Sequence, residues 1–450
     1  MFGYDAAHAG SAPASGITAV NARSLVLRRV SIDTTGDSTP IELRAVIVAG
    51  RRRDVVIVTG TNGATVAIDA GTGARLWEFR PSGRGSTVTN ATPVADPDRS
   101  AVYAASPDGV VHKLSLSTGR QLWARTITYD PGHEKIASAL TVAGANVIAV
   151  TGGYYGDAPP YDGHIAAISR ATGQIAHVWN TECSARHQLI AARACAITRT
   201  RGGSAIWSRA GAVIEPGTHR ILVTTGNGPF DGRSDWGDSV LELTPDASRL
   251  LHNWTPVNQR TLFSTDADLG STSPALLPAY HGRRLAVQGG KQGVLSLLDL
   301  DRLDGSAQGA GPRLGGQLQQ IQAPGGQEVF TQPAVWQDGS RILMFVATNA
   351  GTAAFELGGG SAPRLHMLWQ DGTGATSPVV SGGLLYAYDQ SAGKLLIRRP
   401  LSGATVRALP VATGHWNSPI VIGGRIIETT GDYHAGNGPS TLEIWHLPGR

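Results

Sequence analysis

Charge is scarce in this chain. Of its 450 residues only 16% are Asp, Glu, Lys or Arg, and the formal net charge is +4. Apart from a short "RRRD" at 51–54 the basic residues are scattered, so no stripe exists to track phosphates and no nucleic-acid partner is expected. No apolar run approaches the roughly 18 residues of a membrane helix, so no membrane span is expected either. Met1 runs straight into "MFGYDAAHAG" without a basic and then apolar leader. A cytoplasmic location is expected if Met1 is the native start, and a periplasmic or secreted one if a leader has been removed. Cysteine is scarcer still, with Cys183 and Cys195 alone. Their spacing is neither CxxC nor CxxCH, which excludes a redox dithiol and a covalently attached haem. A disulfide closing this short loop is the preferred reading over two buried thiols, and would contribute about 2–4 kcal/mol in an oxidising compartment. HExxH, GxSxG and GxxxxGK[ST] are all missing, leaving zinc protease, α/β-hydrolase and P-loop chemistry without local support.

What is abundant is turn and strand material. The chain has 58 Gly and 25 Pro, with many Val, Ile and Thr residues between them, a composition of short strands and tight turns. A pattern also recurs. "VTGTNGATVAIDAGTGARLWEF" (58–79) runs strand, Gly turn, alternating strand, Thr-Gly turn, Trp, and "AVYAASPDGVVHKLSLSTGRQLW" (101–123) repeats that order. Copies follow at 146–179, 220–254, 284–305, 341–369, 382–410 and 423–448, most preceded by a strand opening on a small polar residue and Pro, such as "TPVAD" at 92 and "NSPIV" at 417. Each unit reads as four short antiparallel strands. One such sheet is unstable alone, but about eight arranged radially bury each other's faces. The expected fold is all-β: a single β-propeller domain over 1–450 with about eight four-stranded blades around a central funnel. "SLVLRRVSID" (24–33) is expected to give the last blade its outer strand, and 180–206 and 306–325 to be surface insertions.

Strand alternation sorts the loops. With strands A to D running up and down, the B-to-C and D-to-A connections share one face, opposite the Thr-Gly turns. On that face fall Trp207 in "SAIWSRAG", Asn227 in "TTGNGPFDG", Asp266 and Asp268 in "STDADLGSTSP" and Lys291 in "QGGKQGV". An aromatic plate, an amide, carboxylates and an ammonium group are thus directed toward one mouth of the funnel.

The repeat with its docking Trp resembles the quinoprotein propeller family, over nearly the whole chain. The resemblance implies binding of pyrroloquinoline quinone (PQQ) and Ca²⁺ in the funnel, with oxidation of a small-molecule substrate such as an alcohol and transfer of electrons to a separate acceptor. Trp207 matches the family's quinone-stacking Trp, Asn227 its calcium-ligating Asn, Asp268 its catalytic Asp and Lys291 the cationic residue facing the quinone. The metal ligands so implied are Asn227, Asp268 and Asp157. Asp157, with Asp162 as the alternative, substitutes for a Glu that the family carries where this chain has "GGYYGDAPPYDG". The adjacent Cys-Cys pair of the alcohol dehydrogenases is absent. "TGNG", "DLGS" and "GHWNSP" resemble a bacterial subgroup of PQQ-like propellers, and "GHWNSP" places His415 and Trp416 on the same face, as a further acid or base and a further cofactor contact. Two other readings stay open: a non-catalytic scaffold or binding propeller, and a cofactor-free cyclase or isomerase that uses Asp268, Lys291 or His415.

Overall fold

A computed structural model describes residues 1–449 except 13, 84–86, 155–158, 192–193, 196–201, 305–312 and 436–437. Its strands form eight four-stranded blades in a ring, a β-propeller. The first blade shows the pattern: Ile41–Val48, Arg51–Thr59, Thr65–Asp69 and Arg75–Phe79 pair antiparallel in chain order. Blades two to seven follow at 94–126, 141–180, 213–254, 275–322, 334–371 and 379–410. In the eighth, Ile420–Ile422, Arg425–Thr429 and Ser440–His446 are joined by Val26–Ile32, which pairs antiparallel with Ser440–His446 from Val26 opposite His446 to Ile32 opposite Ser440. Among the described residues the one α-helix is Gln259–Thr265.

The ring is held by eight apolar seams, one between each pair of neighbouring blades. Val58 and Ile68 of the first blade pack with Ile427 and Ile444 of the eighth. Val55 and Ile57 pack with Val102 and Leu114 of the second. The sequence continues around the circle to Tyr386 and Ile397 of the seventh blade against Ile426 of the eighth. A blade is therefore apolar on both faces, which explains fully buried runs such as Val55–Thr59 where a one-sided sheet would alternate.

The Thr-Gly turn and the Trp serve one contact. Trp77 lies on Gly119 of the next blade, where a Cβ would come within 2.6 Å of the indole, and its Nε1 donates to the Leu116 carbonyl at 2.7 Å. Trp123 does the same on Gly173, with Nε1 donating to the Arg170 carbonyl at 3.3 Å. At φ of +70° and +72° these glycines occupy the left-handed region, and lacking a side chain they also let the ring approach the turn.

Residues 1–12 cross the axis. Ala6, Ala9 and Gly10 accept backbone hydrogen bonds from Ile214, Val335 and Val380, the inner strands of blades four, six and seven. His8 is fully buried and bonds Thr141 Oγ1 at 3.0 Å and the Ala212 carbonyl at 3.1 Å. Chain therefore lies across the channel beyond the D-to-A connections.

Candidate functional site

The D-to-A and B-to-C connections surround a cavity of about 600 Å³ at one mouth of the funnel. That size suits a small organic molecule. Trp207, Asp268, Lys291, His415 and Trp416 all line it. Asn227 is buried directly beneath: its N–H donates to Asp268 Oδ1 at 2.6 Å, its Nδ2 to Asp266 Oδ1 at 2.5 Å. Asp157 lies outside the described residues, and Asp162 is buried and does not line the cavity.

Local sequence explains the assembly. In "TGNG" and "DLGS" the glycines let two loops interlock: a Cβ on Gly226 would come within 2.3 Å of Asp268 Oδ1, and one on Gly270 within 2.5 Å of the Gly226 nitrogen. Asp268 can thereby accept the Asn227 N–H. Its other oxygen pairs with Lys291 Nζ at 2.5 Å, and Lys291 also reaches Asp266 at 3.4 Å. Lys291 Nζ lies 5.5 Å from the centre of the Trp207 ring, a cation over an aromatic face. Next to this pair Asp238 is held well above the usual carboxylate range, by burial and then by the Asp268 charge.

Aromatic rings continue from Trp207 around the wall. Phe330 is 6.0 Å from Trp207 and 5.2 Å from Trp416, centre to centre. Trp416 holds φ of +54°, uncommon for a bulky residue, and its N–H is tied to the Gln390 side chain. That backbone turn directs the indole into the cavity in place of the solvent.

The opposite wall carries groups that sequence reasoning did not pick. Arg209, two residues after Trp207, donates Nη2 to Asp37 Oδ1 at 2.7 Å and Nη1 to the Asp37 carbonyl at 2.7 Å. His415 Nδ1 bonds Asp37 Oδ2 at 2.9 Å. Asp37 is 1% exposed; burial alone would raise its pKa, but the Arg209 and His415 partners prevail and hold it below the usual value. Lys135 and Tyr433 complete this wall. The signal that could have found Lys135 is positional: it precedes its inner strand Thr141–Ala143 by six residues, as Trp207 precedes Val213–Ile214.

The quinone and metal implied by resemblance fare differently against these residues. A planar, carboxylated ring has an aromatic floor in Trp207 and cations in Lys291 and Arg209. For Ca²⁺, Asn227 Oδ1 is buried and, among the described residues, has no hydrogen-bond partner, as expected of a ligand oxygen. Its neighbouring carboxylates Asp266 and Asp268 are already engaged by Lys291, and Ca²⁺ takes six to eight oxygens. Among the described residues this donor set is incomplete. Among the described residues the one grouping of three His, Cys, Asp or Glu side chains close enough to share an ion is Asp37, His415 and Asp432, where the Arg209 guanidinium already supplies positive charge.

Two further buried acids are Asp162, in the B-to-C connection of the third blade, and Glu182, just after that blade's outer strand. Asp162 is pushed up to about 8 by burial and then by Glu134 and Asp235; Glu182 is pushed up to about 9 by burial and then by Asp162. Among the described residues neither Asp162 carboxylate oxygen has a hydrogen-bond partner, nor has Glu182 Oε2.

Comparison with known proteins agrees with the repeat. Residues 39–214 match the family described as outer membrane protein assembly factor BamB. A polyvinylalcohol dehydrogenase of a Pseudomonas species is 23% identical over 276 residues, 55% of this chain and 42% of that one. Another from Sphingopyxis is 26% identical over 220 residues, 45% of this chain and 32% of that one. The matches thus span less than half the length of these relatives. The crystal structure of quinohemoprotein alcohol dehydrogenase from Comamonas testosteroni superposes with a TM-score of 0.68 at 16% identity, covering 100% of this chain and 80% of that one, which shows the fold. The chain is a β-propeller similar to PQQ-type propellers, and the proteins it resembles include polyvinylalcohol dehydrogenases and a quinohemoprotein alcohol dehydrogenase.

Proposed function

We propose that the funnel binds a planar quinone of the PQQ type against Trp207 and that the chain oxidises an alcohol or similar reduced carbon, passing electrons to a separate acceptor. The observation that carries this reading is the grouping of Trp207, Asp268 and Lys291 on one wall of the axial cavity: ring, base and cation within contact of each other. Bound there, the quinone supplies a two-electron acceptor. Asp268, anchored by the Asn227 N–H, takes the hydroxyl proton of the substrate. Lys291 places positive charge above the stacking ring, where negative charge develops. Phe330 and Trp416 narrow the space and exclude water from the reacting atoms. On the far wall Asp37 fixes the orientation of His415, a second group able to carry a proton.

No step is assigned to a metal, since the described donors do not complete a Ca²⁺ site. The Cys183–Cys195 disulfide supports an oxidising compartment, periplasmic or extracellular. The BamB match favours a scaffold reading for its own span, but Asn227, Asp268, Lys291, His415 and Trp416 all lie beyond residue 214.

PQQ added to the purified chain, with and without Ca²⁺, should quench tryptophan fluorescence saturably at micromolar concentration and support reduction of an acceptor dye with an alcohol. Trp207→Ala should lose the quenching. Asp268→Asn should keep the quenching and lose turnover. Absence of binding by the wild-type chain rejects the quinone reading; turnover retained in Asp268→Asn rejects the assignment of the base.

A further inference from the structure

Of the 38 Lys and Arg residues only four are lysines: Lys113, Lys135, Lys291 and Lys394. Three are ordinary. Lys113 pairs with Asp96 at 3.4 Å, Lys291 pairs with Asp268, and Lys394 is exposed. Lys135 is 7% exposed and lines the cavity. A two-stranded ribbon, Glu134–Lys135 against Gly152–Gly153, fixes its backbone. Its Nζ lies 4.7 Å from the centre of the Tyr433 ring and 5.7 Å from that of Tyr154, and among the described residues no carboxylate is within ion-pair distance. The charged and titratable groups around it are Arg209, Asp37 and His434, with the two tyrosines; Arg209 opposes its protonation, and Asp37, which favours it, is committed to Arg209 and His415. Burial and then Arg209 bring the amine down to about 7. Arginine, which this chain uses almost everywhere else for positive charge, cannot give up its proton; lysine can.

We propose that Lys135 is a carbonyl-capturing amine: the funnel admits a small aldehyde or ketone and holds it as an imine on Nζ. The nitrogen lone pair attacks the carbonyl carbon, the C=O π pair moves to oxygen and takes up a proton, and the carbinolamine then loses water. Carbonyl plus amine gives imine plus water, with no oxidant or reductant consumed. When the imine is protonated, the faces of Tyr433 and Tyr154 receive the cation. This step needs no quinone and stands apart from the oxidation proposed above.

The test uses the whole chain without added cofactor. It is incubated with benzaldehyde and sodium cyanoborohydride across pH 6–10, and the benzyl mass is mapped to each lysine and to the terminal amine. Lys135 should be labelled at pH 7 at least about tenfold faster than exposed Lys394, with a rate that levels off just above neutrality, since the uncharged fraction sets the rate. Lys135→Arg should remove that fast label and leave the slow ones. Labelling confined to Lys394 or the terminal amine, or a Lys135 label that rises only above pH 9, overturns the proposal, and the wild-type profile decides this even if the variant fails to fold. PQQ quenching measured on the same samples separates the two readings: fast Lys135 labelling without quenching removes the quinone alone, and quenching without that labelling removes the imine alone.

Discussion

Replacing Asp37 with Asn tests whether the funnel wall is held by charge. Asp37 lies in the link between the outer strand of the eighth blade and the first strand of the first; Arg209 lies between blades three and four, and His415 between seven and eight. One carboxylate thus ties together three connections from different sides of the ring. It also accepts the Tyr433 N–H at 3.2 Å. Asp37→Asn keeps the shape and removes the charge, leaving Arg209, whose side chain is 15% exposed, without its counter-ion. Breaking a buried pair in this way costs about 3–5 kcal/mol. Scaled to a chain of this length, at ~1–2 °C per kcal/mol, the Tm should fall by about 3–10 °C.

Acidification gives a second, sharper readout. The folded pKa of Asp37 is depressed, so the folded state binds fewer protons than the unfolded state as the pH drops past the ordinary Asp value near 3.9. The stabilisation is complete above that value and disappears as the pH falls through the folded pKa. In urea titrations at fixed temperature the gap between wild type and Asp37→Asn should therefore be full at pH 6 and shrink below about pH 4. A gap under about 0.5 kcal/mol at pH 6, the size of an exposed pair, or one that does not shrink in acid, refutes the claim that this node braces the ring.

Gly173→Ala should cost about 1–3 kcal/mol, because φ is +72° and the new methyl would meet the Trp123 indole at 2.7 Å; urea midpoints measure it, and a neutral result would mean that the turn and the indole are not packed together. Reducing the Cys183–Cys195 bond opens a loop with a sequence separation of 12 and should lower stability by about 2–4 kcal/mol, read as a fall in Tm on adding reductant that the Cys183→Ser, Cys195→Ser chain does not show. Asp162 and Glu182 have raised folded pKa values, so their contribution is present below the unfolded values and lost as pH rises toward about 8 and about 9. Asp162→Asn should flatten the decline in stability between pH 5 and 8 by up to about 1.4 kcal/mol per pH unit, and an unchanged slope would show that the acid is already ionised in the fold.

The ring was legible because its signal is repeated. Any one strand pair is ambiguous, but eight successive units with the same Gly turn, the same alternation and in several cases the same docking Trp leave little room for another architecture. The direction of the strands then sorted the loops without any side-chain information, which is why Trp207, Asp268, Lys291, His415 and Trp416 could be directed to one mouth from sequence and are found around one cavity. What was not legible depends on distance along the chain. Asp37 is 172 residues from Arg209 and 378 from His415, and nothing local in "TTGDSTP" distinguishes it from a turn Asp. Lys135 was passed over for a different reason: "HEKIAS" lacks the polar-Pro opening of its counterparts, and a single loop lysine is ordinarily solvated.

The two walls of the cavity differ in how their charges are balanced, and that difference follows from the blades that carry them. On one side the "TGNG" and "DLGS" glycines press two loops together, so Asp268 and Lys291 meet directly and each is neutralised by the other. On the other side Arg209 is consumed by Asp37, and Lys135, on its own ribbon, is left with aromatic faces instead of a carboxylate. Removing the carboxylates beside Lys291 should therefore bring it into the role of Lys135. Lys291 in an Asp268→Asn, Asp266→Asn chain loses these two carboxylate partners beside Trp207 and should itself begin to form a reducible adduct with benzaldehyde near neutral pH, while labelling of Lys135 stays as in the wild type. If Lys291 remains inert in that chain, pairing with Asp266 and Asp268 is not what keeps it unreactive.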